Sequence, residues 1–402
     1  MKTFPALENA MPSGLTYDEL HKAVAGSAAA FRLTLKLEAV SPKVFPPTYE
    51  GGKYATEDRN IDGKTVPCVL LDSVPSQANR MELALHEAVE GGEIELPVVS
   101  VDFKELENPG MPKLTSLQAP HRIADAILRD SNKGKQKFRD SDIGKELDKL
   151  SNGYATPLLQ YAPHCLVFGM WDSTGPRGGL GVKFARALVS EIIGVNAVPG
   201  RKTSSRIDPL NIRVQSGPLY VAKGGGWTLD KDLAEKDSKK NATKLGKDGK
   251  PSEANHGNVM PSISDGGFTI DYAEQSTVLS LPALRRLRFP TSSGEKSSPE
   301  TDAIARTYLA ALGLLGATLA VETGYDLRSR CLLRSPNAIE WSLLGKPGSA
   351  DTPFALDKAG AIKLYSTALK AVQSAKLPLE LKEVVLTPTP DFVSLVKSGG
   401  AE

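Results

Sequence analysis

Cysteine is scarce: Cys68, Cys165 and Cys331 are odd in number, far apart and without C-x-x-C spacing, which excludes a disulfide framework and a thiolate zinc site. The pattern suits buried thiols in a reducing cytoplasm. Excess charge of one sign is missing too. The chain carries 49 Lys+Arg against 47 Asp+Glu, a net charge of +2, so no overall field announces nucleic acid, and any RNA surface must be a local stripe. Long apolar runs are absent as well. The N-terminus, MKTFPALENAMPSG, lacks a core of signal-peptide length, and the longest uncharged apolar run, Tyr308 to Val321, falls short of the ~20 residues that span a bilayer. A cytoplasmic protein without a membrane span is expected. The 402 residues, 40% of them hydrophobic, are enough for one elaborated domain with its own core.

What the chain does have is concentrated between residues 168 and 213. Phe168 to Trp171 ends an apolar run, Gly175 to Gly181 is a loop of four glycines and a proline, and Val182 to Ile193 repeats apolar residues at helical spacing. The order predicted is strand, glycine loop, helix. Glycine turns and helix N-termini present backbone N–H groups to anions, so phosphate is the leading ligand class. A mononucleotide P-loop is excluded, because Lys183 is followed by Phe184 and the magnesium-binding hydroxyl is missing. A dinucleotide fingerprint fails at Phe184, where its third glycine belongs. From Arg177 to Arg213, Arg177, Lys183, Arg186, Arg201, Lys202, Arg206 and Arg213 face only Glu191 and Asp208. That imbalance fits a polyanion groove or a solvated basic loop.

Elsewhere the patterning predicts a helix over 15–30 and a half-buried strand from Phe31, where apolar and polar residues alternate. Residues 41–64 hold too many breakers for a core element. An apolar run, Val66 to Leu71, leads through the turn and cap residues Asp72 to Ser76 into a helix over 77–89. Gln77, Asn79 and Arg80 lie in its first turn, where capping and surface hydrogen bonding are their ordinary roles. Glu93 to Val101 reads as strand, Leu106 to Leu150 as mainly helical, and Thr156 to Met170 as strand again. The basic group Arg129, Lys133, Lys135, Lys137 and Arg139 is bordered by Asp140, Asp142, Glu146 and Asp148, so it is either a basic finger or a mixed solvated surface. His164 falls in an apolar setting and is assigned no chemistry.

Lys231 to Asn258 holds seven lysines and few apolar residues, the composition of a long mobile insertion. Phe268 to Thr277 returns to strand. Ala303 to Val321 is apolar on nearly all sides and therefore a buried helix, with Gly313 and Gly316 permitting close approach of a neighbour. Two late strands, Leu327 to Leu333 and Ile339 to Leu344, and a helix over 355–375 complete the reading.

Three blocks, LLDSVPSQANRMELAL (70–85), FGMWDSTGPRGGLGVKFARALVSEIIG (168–194) and SSRIDP (204–209), resemble the backbone subunit of type I CRISPR surveillance (Cascade) complexes, in the form found in subtype I-G, formerly I-U. The resemblance implies an α+β fold: an RRM-like (ferredoxin-like) palm of the RAMP type with finger and thumb insertions. It places a discontinuous palm at 26–40, 66–90, 157–222 and 263–345, finger-like insertions at 41–65 and 91–156, a thumb-like polar insertion at 223–262, and a C-terminal helix and tail at 346–402. It implies a non-catalytic subunit without metal or cofactor that polymerises along a CRISPR RNA (crRNA) as a helical filament. Its partners would be the guide RNA, target DNA paired to it, further copies of itself and other Cascade subunits. The RNA-binding residues expected are Ser76, Gln77, Asn79, Arg80, Arg177, Lys183, Arg201, Lys202, Ser204, Arg206, Lys223, Trp227 and Met260. An apolar thumb residue wedges between guide bases in the family, and Met260 is favoured over Trp227. The competing function is a metal-dependent ribonuclease, as in related type III backbone subunits, with Asp72 and Asp172 as its candidate acids. Both aspartates sit beside serine in turn sequences, where an Asx-turn or a cap is their ordinary role.

Overall fold

The computed structural model describes residues 14–104, 113–173 and 181–399. The chain divides into two compact units, one of residues 1–197 with 270–402, the other of residues 198–269.

The larger unit is built on an antiparallel sheet backed by helices. In chain order its main elements are α1 (Tyr17–Ala25), β1 (Ala30–Ala39), β2 (Thr56–Ile61), β3 (Lys64–Asp72), α2 (Val74–Glu90) and β4 (Leu188–Val195). The smaller unit supplies β5 (Val198–Arg206) and β6 (Val259–Thr269), after which come β7 (Tyr272–Ser280), α3 (Pro299–Thr323), β8 (Tyr325–Arg328), β9 (Cys331–Arg334), β10 (Glu340–Leu344), β11 (Thr352–Ala355) and α4 (Lys358–Ser374). Across the sheet the order is β8, β9, β1, β7, β4, β3, β2; β10 shares the outer edge of β1 with β9, and β11 lies beyond β10.

The alternation read from residue 31 is that of β1, whose Phe31, Leu33, Leu35 and Leu37 are buried while Arg32, Thr34, Lys36 and Glu38 are exposed. Helix α2 starts at Val74, three residues before the position expected, because Ser73 caps it and Pro75 needs no N–H in a first turn. Helix α3 has the length and hydropathy of a membrane span, yet 83% of its most apolar stretch is buried inside the protein, so it is a core helix. A Cβ at Gly316 would stand 3.2 Å from Leu85 Cδ1 of α2, and one at Gly313 3.2 Å from Val167 Cγ1, so both glycines do allow close approach.

The helix expected over 182–193 is instead strand. Lys183–Phe184 pairs with Met170–Trp171, and Leu188–Val195 is β4, placed between β7 and β3. The apolar spacing fits both periods, and the β-branched Val189, Ile192, Ile193 and Val195 favour the pleated sheet, where Gly194 also makes room for Ile270. Residues 156–170 reverse in the other direction, forming two short helices, Thr156–Tyr161 and His164–Phe168, before the strand.

A second sheet joins distant parts of the chain. The C-terminal strand Val384–Pro388 lies parallel to Val99–Asp102 and antiparallel to Ser131–Lys133, so the tail completes the sheet of the 91–156 insertion.

Candidate nucleic-acid interface

In the larger unit the start of α2 is organised by a buried carboxylate. Asp72, at the end of β3 and inaccessible to solvent, accepts hydrogen bonds from Ser76 Oγ (2.8 Å), Gln77 Nε2 (2.6 Å), Arg80 Nε (2.9 Å) and Arg328 Nη2 (3.2 Å). Arg80 also donates to the Leu327 carbonyl and Arg328 to the Leu71 carbonyl, both at 2.6 Å. Two guanidiniums on one carboxylate leave a surplus positive charge at the helix N-terminus, where both side chains keep partial solvent access.

Behind them, Gln77 Oε1 accepts from Ser190 Oγ and Gln275 Nε2, and Tyr325 Oη donates to Gln275 Oε1. Polar residues on the inner faces of β4 and β7 are thus satisfied by the helix that covers them. Of the residues expected to meet RNA here, Ser76, Gln77 and Arg80 converge on Asp72, Gln77 is buried within the network, and Asn79 is exposed. Lys183 is exposed with Nζ 5.9 Å from the Trp171 ring, within cation–π range. Arg177 lies outside the described residues.

The smaller unit contains a two-stranded ribbon, β5 with β6, that closes a long insertion, and within the insertion a short hairpin pairs Tyr220–Val221 with Trp227–Thr228. Its register pairs Lys202 with Ser264 and Ser204 with Ser262, while Arg201 pairs with Asp265 and Thr203 with Ile263. Strand alternation therefore puts Lys202, Ser204, Ser262 and Ser264 on one face. Ser204 and Ser262 share a hydrogen bond of 2.8 Å, and the stem of Lys202 runs over Gly266, where a Cβ would stand 2.6 Å from Lys202 Cγ. The opposite face holds Thr203, Ile263 and the Arg201–Asp265 pair at 3.8 Å.

Past the ribbon, Arg206 donates to the Asn255 carbonyl. Asp208, almost fully buried, accepts from the backbone N–H groups of Leu210 (3.2 Å), Ile212 (3.1 Å) and Gly257 (3.0 Å), and its own N–H donates to Asn258 Oδ1 (2.6 Å). Desolvation pushes its carboxyl up, but these N–H bonds and the Arg206 charge outweigh that and hold it below the usual carboxylate range. Residues 207–213 lie outside strand and turn at Pro209–Leu210, as the Asp208-Pro209 dipeptide favours.

Of the remaining expected residues, Lys223 is exposed and donates to the Asp232 carbonyl at 2.9 Å. Trp227, 44% exposed, meets the His256 ring edge-on, whereas Met260 is 84% exposed. Residues 231–258, expected to be a long mobile insertion, hold defined turns: Asp237 Oδ1 accepts from the N–H groups of Lys239 and Asn241, and Glu253 from those of Lys247, Asp248 and Lys250. Side-chain carboxylates close the backbone there where a core is lacking. Ten of the nineteen large apolar side chains that stand exposed among the described residues lie in this unit. Sequence reasoning missed Ile207, Leu210 and Ile263 among them.

The basic group of the 91–156 insertion is largely neutralised. Lys133 pairs with Asp142 at 2.7 Å, and Arg139 with Asp148 at 3.1 Å and Asp172 at 2.5 Å. This is the mixed surface rather than a basic finger. His164 is fully buried, with Nε2 3.2 Å from the Ser116 carbonyl, and burial pushes its pKa down to about 3. Among the described residues no group of three or more His, Cys, Asp and Glu side chains is placed to hold a metal ion.

These elements define an α+β protein whose central sheet carries an inserted ribbon with a basic, hydroxyl-lined face. Residues 32–199 match the family model described as CRISPR-associated protein GSU0053, so the resemblance to a CRISPR-associated family holds over that segment. The matched segment includes Ser76 to Arg80 and Lys183 and ends where the ribbon begins, so Arg201 to Arg206, Lys223, Trp227 and Met260 lie beyond it. No curated protein matches the chain. Among solved structures, the crystal structure of Thermofilum pendens Csc2 aligns over 98% of this chain and 96% of its own at 10% identity and a TM-score of 0.30, a similarity too low to carry an argument.

Proposed function

We propose that the protein is the crRNA-binding backbone subunit of a type I CRISPR surveillance complex, polymerising along the guide and leaving recognition of target DNA to base pairing. The observation that carries this reading is the ribbon, with Lys202, Ser204, Ser262 and Ser264 on one face and the exposed Met260 and Ile207 near its end. A lysine and hydroxyls can follow phosphate and ribose without regard to sequence, while apolar groups can take a base face. The RRM-like palm is supported by topology. Strands β1, β4, β7 and then β8 to β10 in succession, with α2 after β1 and α3 after β7, lie in the antiparallel order β8–β10, β1, β7, β4, the strand order 4-1-3-2 of a split βαβ fold. In this reading the thumb, expected over 223–262, extends to the whole smaller unit of residues 198–269, which is inserted between the paired strands β4 and β7.

A ribonuclease reading has less to work with. Asp72 is held by four donors out of contact with solvent, and Asp172 is paired with Arg139. A metal-bound nucleophile needs an accessible, uncommitted carboxylate.

The test is to recover RNA with the purified protein and to incubate the assembled complex with labelled complementary RNA and magnesium. Bound RNA of freely varying spacer sequence, with the labelled complementary strand left uncut, is expected. Protein free of RNA would count against the whole reading, and regularly spaced cuts would favour the nuclease.

A further inference from the structure

We infer that Asp208 is the positioning residue of the smaller unit, fixing the apolar end of the ribbon before any ligand arrives; the inference rests on the RNA-binding reading. Three observations carry it. First, Asp208 is buried while two of the most exposed large apolar side chains among the described residues flank it in sequence, Ile207 at 84% and Leu210 at 74%. Second, its bonds reach both limbs of the insertion. Leu210 and Ile212 belong to the outgoing chain, Gly257 and Asn258 to the returning one, and Arg206 adds a further cross-link through the Asn255 carbonyl. Third, the close approach at Gly257 is built for this arrangement. Its φ of +81° is one that side-chain-bearing residues rarely adopt, and a Cβ would lie 3.3 Å from the Ile212 carbonyl.

The ends of the insertion are thus locked together however its interior behaves. Ile207 and Leu210 on one limb and Met260, next to the Arg206–Val259 pair, on the other are held beside that lock. An apolar group that is already placed loses little freedom on meeting a base, whereas one on a loose loop must be ordered first. Asp208 contacts no ligand in this scheme; its carboxylate is spent on backbone N–H groups.

The experiment compares the full-length chain with Asp208→Ala and Asp208→Asn, the latter keeping the shape but only one acceptor oxygen. Hydrogen exchange followed by mass spectrometry reads the 207–213 and 255–260 peptides, and titration of single-stranded RNA carrying 2-aminopurine, at several salt concentrations, reads affinity and base unstacking. Both variants should exchange faster in those peptides alone. They should bind RNA roughly tenfold more weakly, Asn less affected than Ala, with reduced unstacking but an unchanged salt slope, since no phosphate contact is removed. Unchanged exchange would overturn the lock. Faster exchange with wild-type affinity and unstacking would overturn its role in positioning. A salt slope reduced as far as in Lys202→Glu would mean that the whole ribbon is lost, and would overturn the assignment of Asp208 to its end. Failure of the wild-type chain to bind RNA would instead remove the RNA-binding reading, and the positioning role with it, while the exchange data would still judge the lock.

Discussion

Arg201 and Lys202, neighbours in sequence, stand on opposite faces of the ribbon: Arg201 lies across from Asp265, and Lys202 across from Ser264 with its stem over Gly266. One nucleic-acid strand passing along the ribbon can therefore meet only one of them directly. Lys202→Glu should weaken RNA binding for every guide sequence and lower the salt slope by about 0.7, the value for one phosphate contact to a single strand. Arg201→Glu should leave the slope closer to wild type. Plots of log affinity against log salt for the two variants give the comparison, and equal slopes would mean that the faces are not distinguished.

Arg206 should behave differently from Lys202. Its guanidinium donates to the Asn255 carbonyl, so Arg206→Ala removes a cross-link of the insertion more than a phosphate contact. Faster hydrogen exchange around Asn255 with a near-normal salt slope is expected. A slope lowered by about 0.7 would restore Arg206 to the phosphate-binding set.

Asp72→Ala should destabilise the larger unit. It leaves Arg80 and Arg328 without their shared anion, and Ser76 and Gln77 without an acceptor. Breaking a buried pair costs roughly 3–5 kcal/mol, and because both guanidiniums keep some solvent access a loss of about 3 kcal/mol is the reasonable size. Urea unfolding measures it. A loss below about 1 kcal/mol would show that the arginines re-solvate freely and that Asp72 does not organise the start of α2.

What the sequence disclosed follows from range. Alternation in β1 and the all-apolar α3 are local signals, and each is where the patterning puts it, while the cap of α2 falls within the turn read at Asp72 to Ser76 but starts the helix three residues early. The strand at Leu188–Val195 was misread because a run such as Leu-Val-Ser-Glu-Ile-Ile satisfies periods of 2 and 3.6 alike, and only its partners in β3 and β7 decide between them. Partnership hid the site in the same way. Gln77 reads as a first-turn surface residue, yet it is buried because Ser190 and Gln275, more than a hundred residues away in sequence, meet it. Asp208 reads as one of only two acids among the basic residues from Arg177 to Arg213, whereas its acceptors are used on backbone N–H groups that become neighbours only when the insertion closes.

His164 gives a prediction in pH. Burial holds its folded-state pKa near 3, well below the ordinary value near 6.5, so the folded protein keeps it neutral while the unfolded chain takes up a proton below about pH 6.5. The unfolded state then binds more protons, and stability falls as pH falls through that window. Between pH 7.5 and 5.5 the wild type should lose about 1.4 kcal/mol more than His164→Asn, measured by urea unfolding at both values. Parallel losses in the two proteins would mean that His164 reaches solvent or a counter-charge when protonated.

Met260 offers the sharpest separation of binding from folding. At 84% exposure it anchors little, and Met260→Ala should change stability by no more than about 0.5 kcal/mol. If its side chain takes a base face, the same change should weaken RNA binding by about 1–3 kcal/mol and leave the salt slope untouched, because the lost contact is with a base and not with a phosphate. Trp227→Ala is the contrasting case. Its ring is half covered and meets His256 edge-on, in a hairpin where Val221 pairs with Trp227, so the expected loss is local order around residues 220–228 with a smaller effect on RNA. Calorimetry of the two variants beside RNA titrations at two salt concentrations separates these outcomes. Wild-type affinity in Met260→Ala, or a larger loss in Trp227→Ala, would move the base contact away from the ribbon end and onto the hairpin.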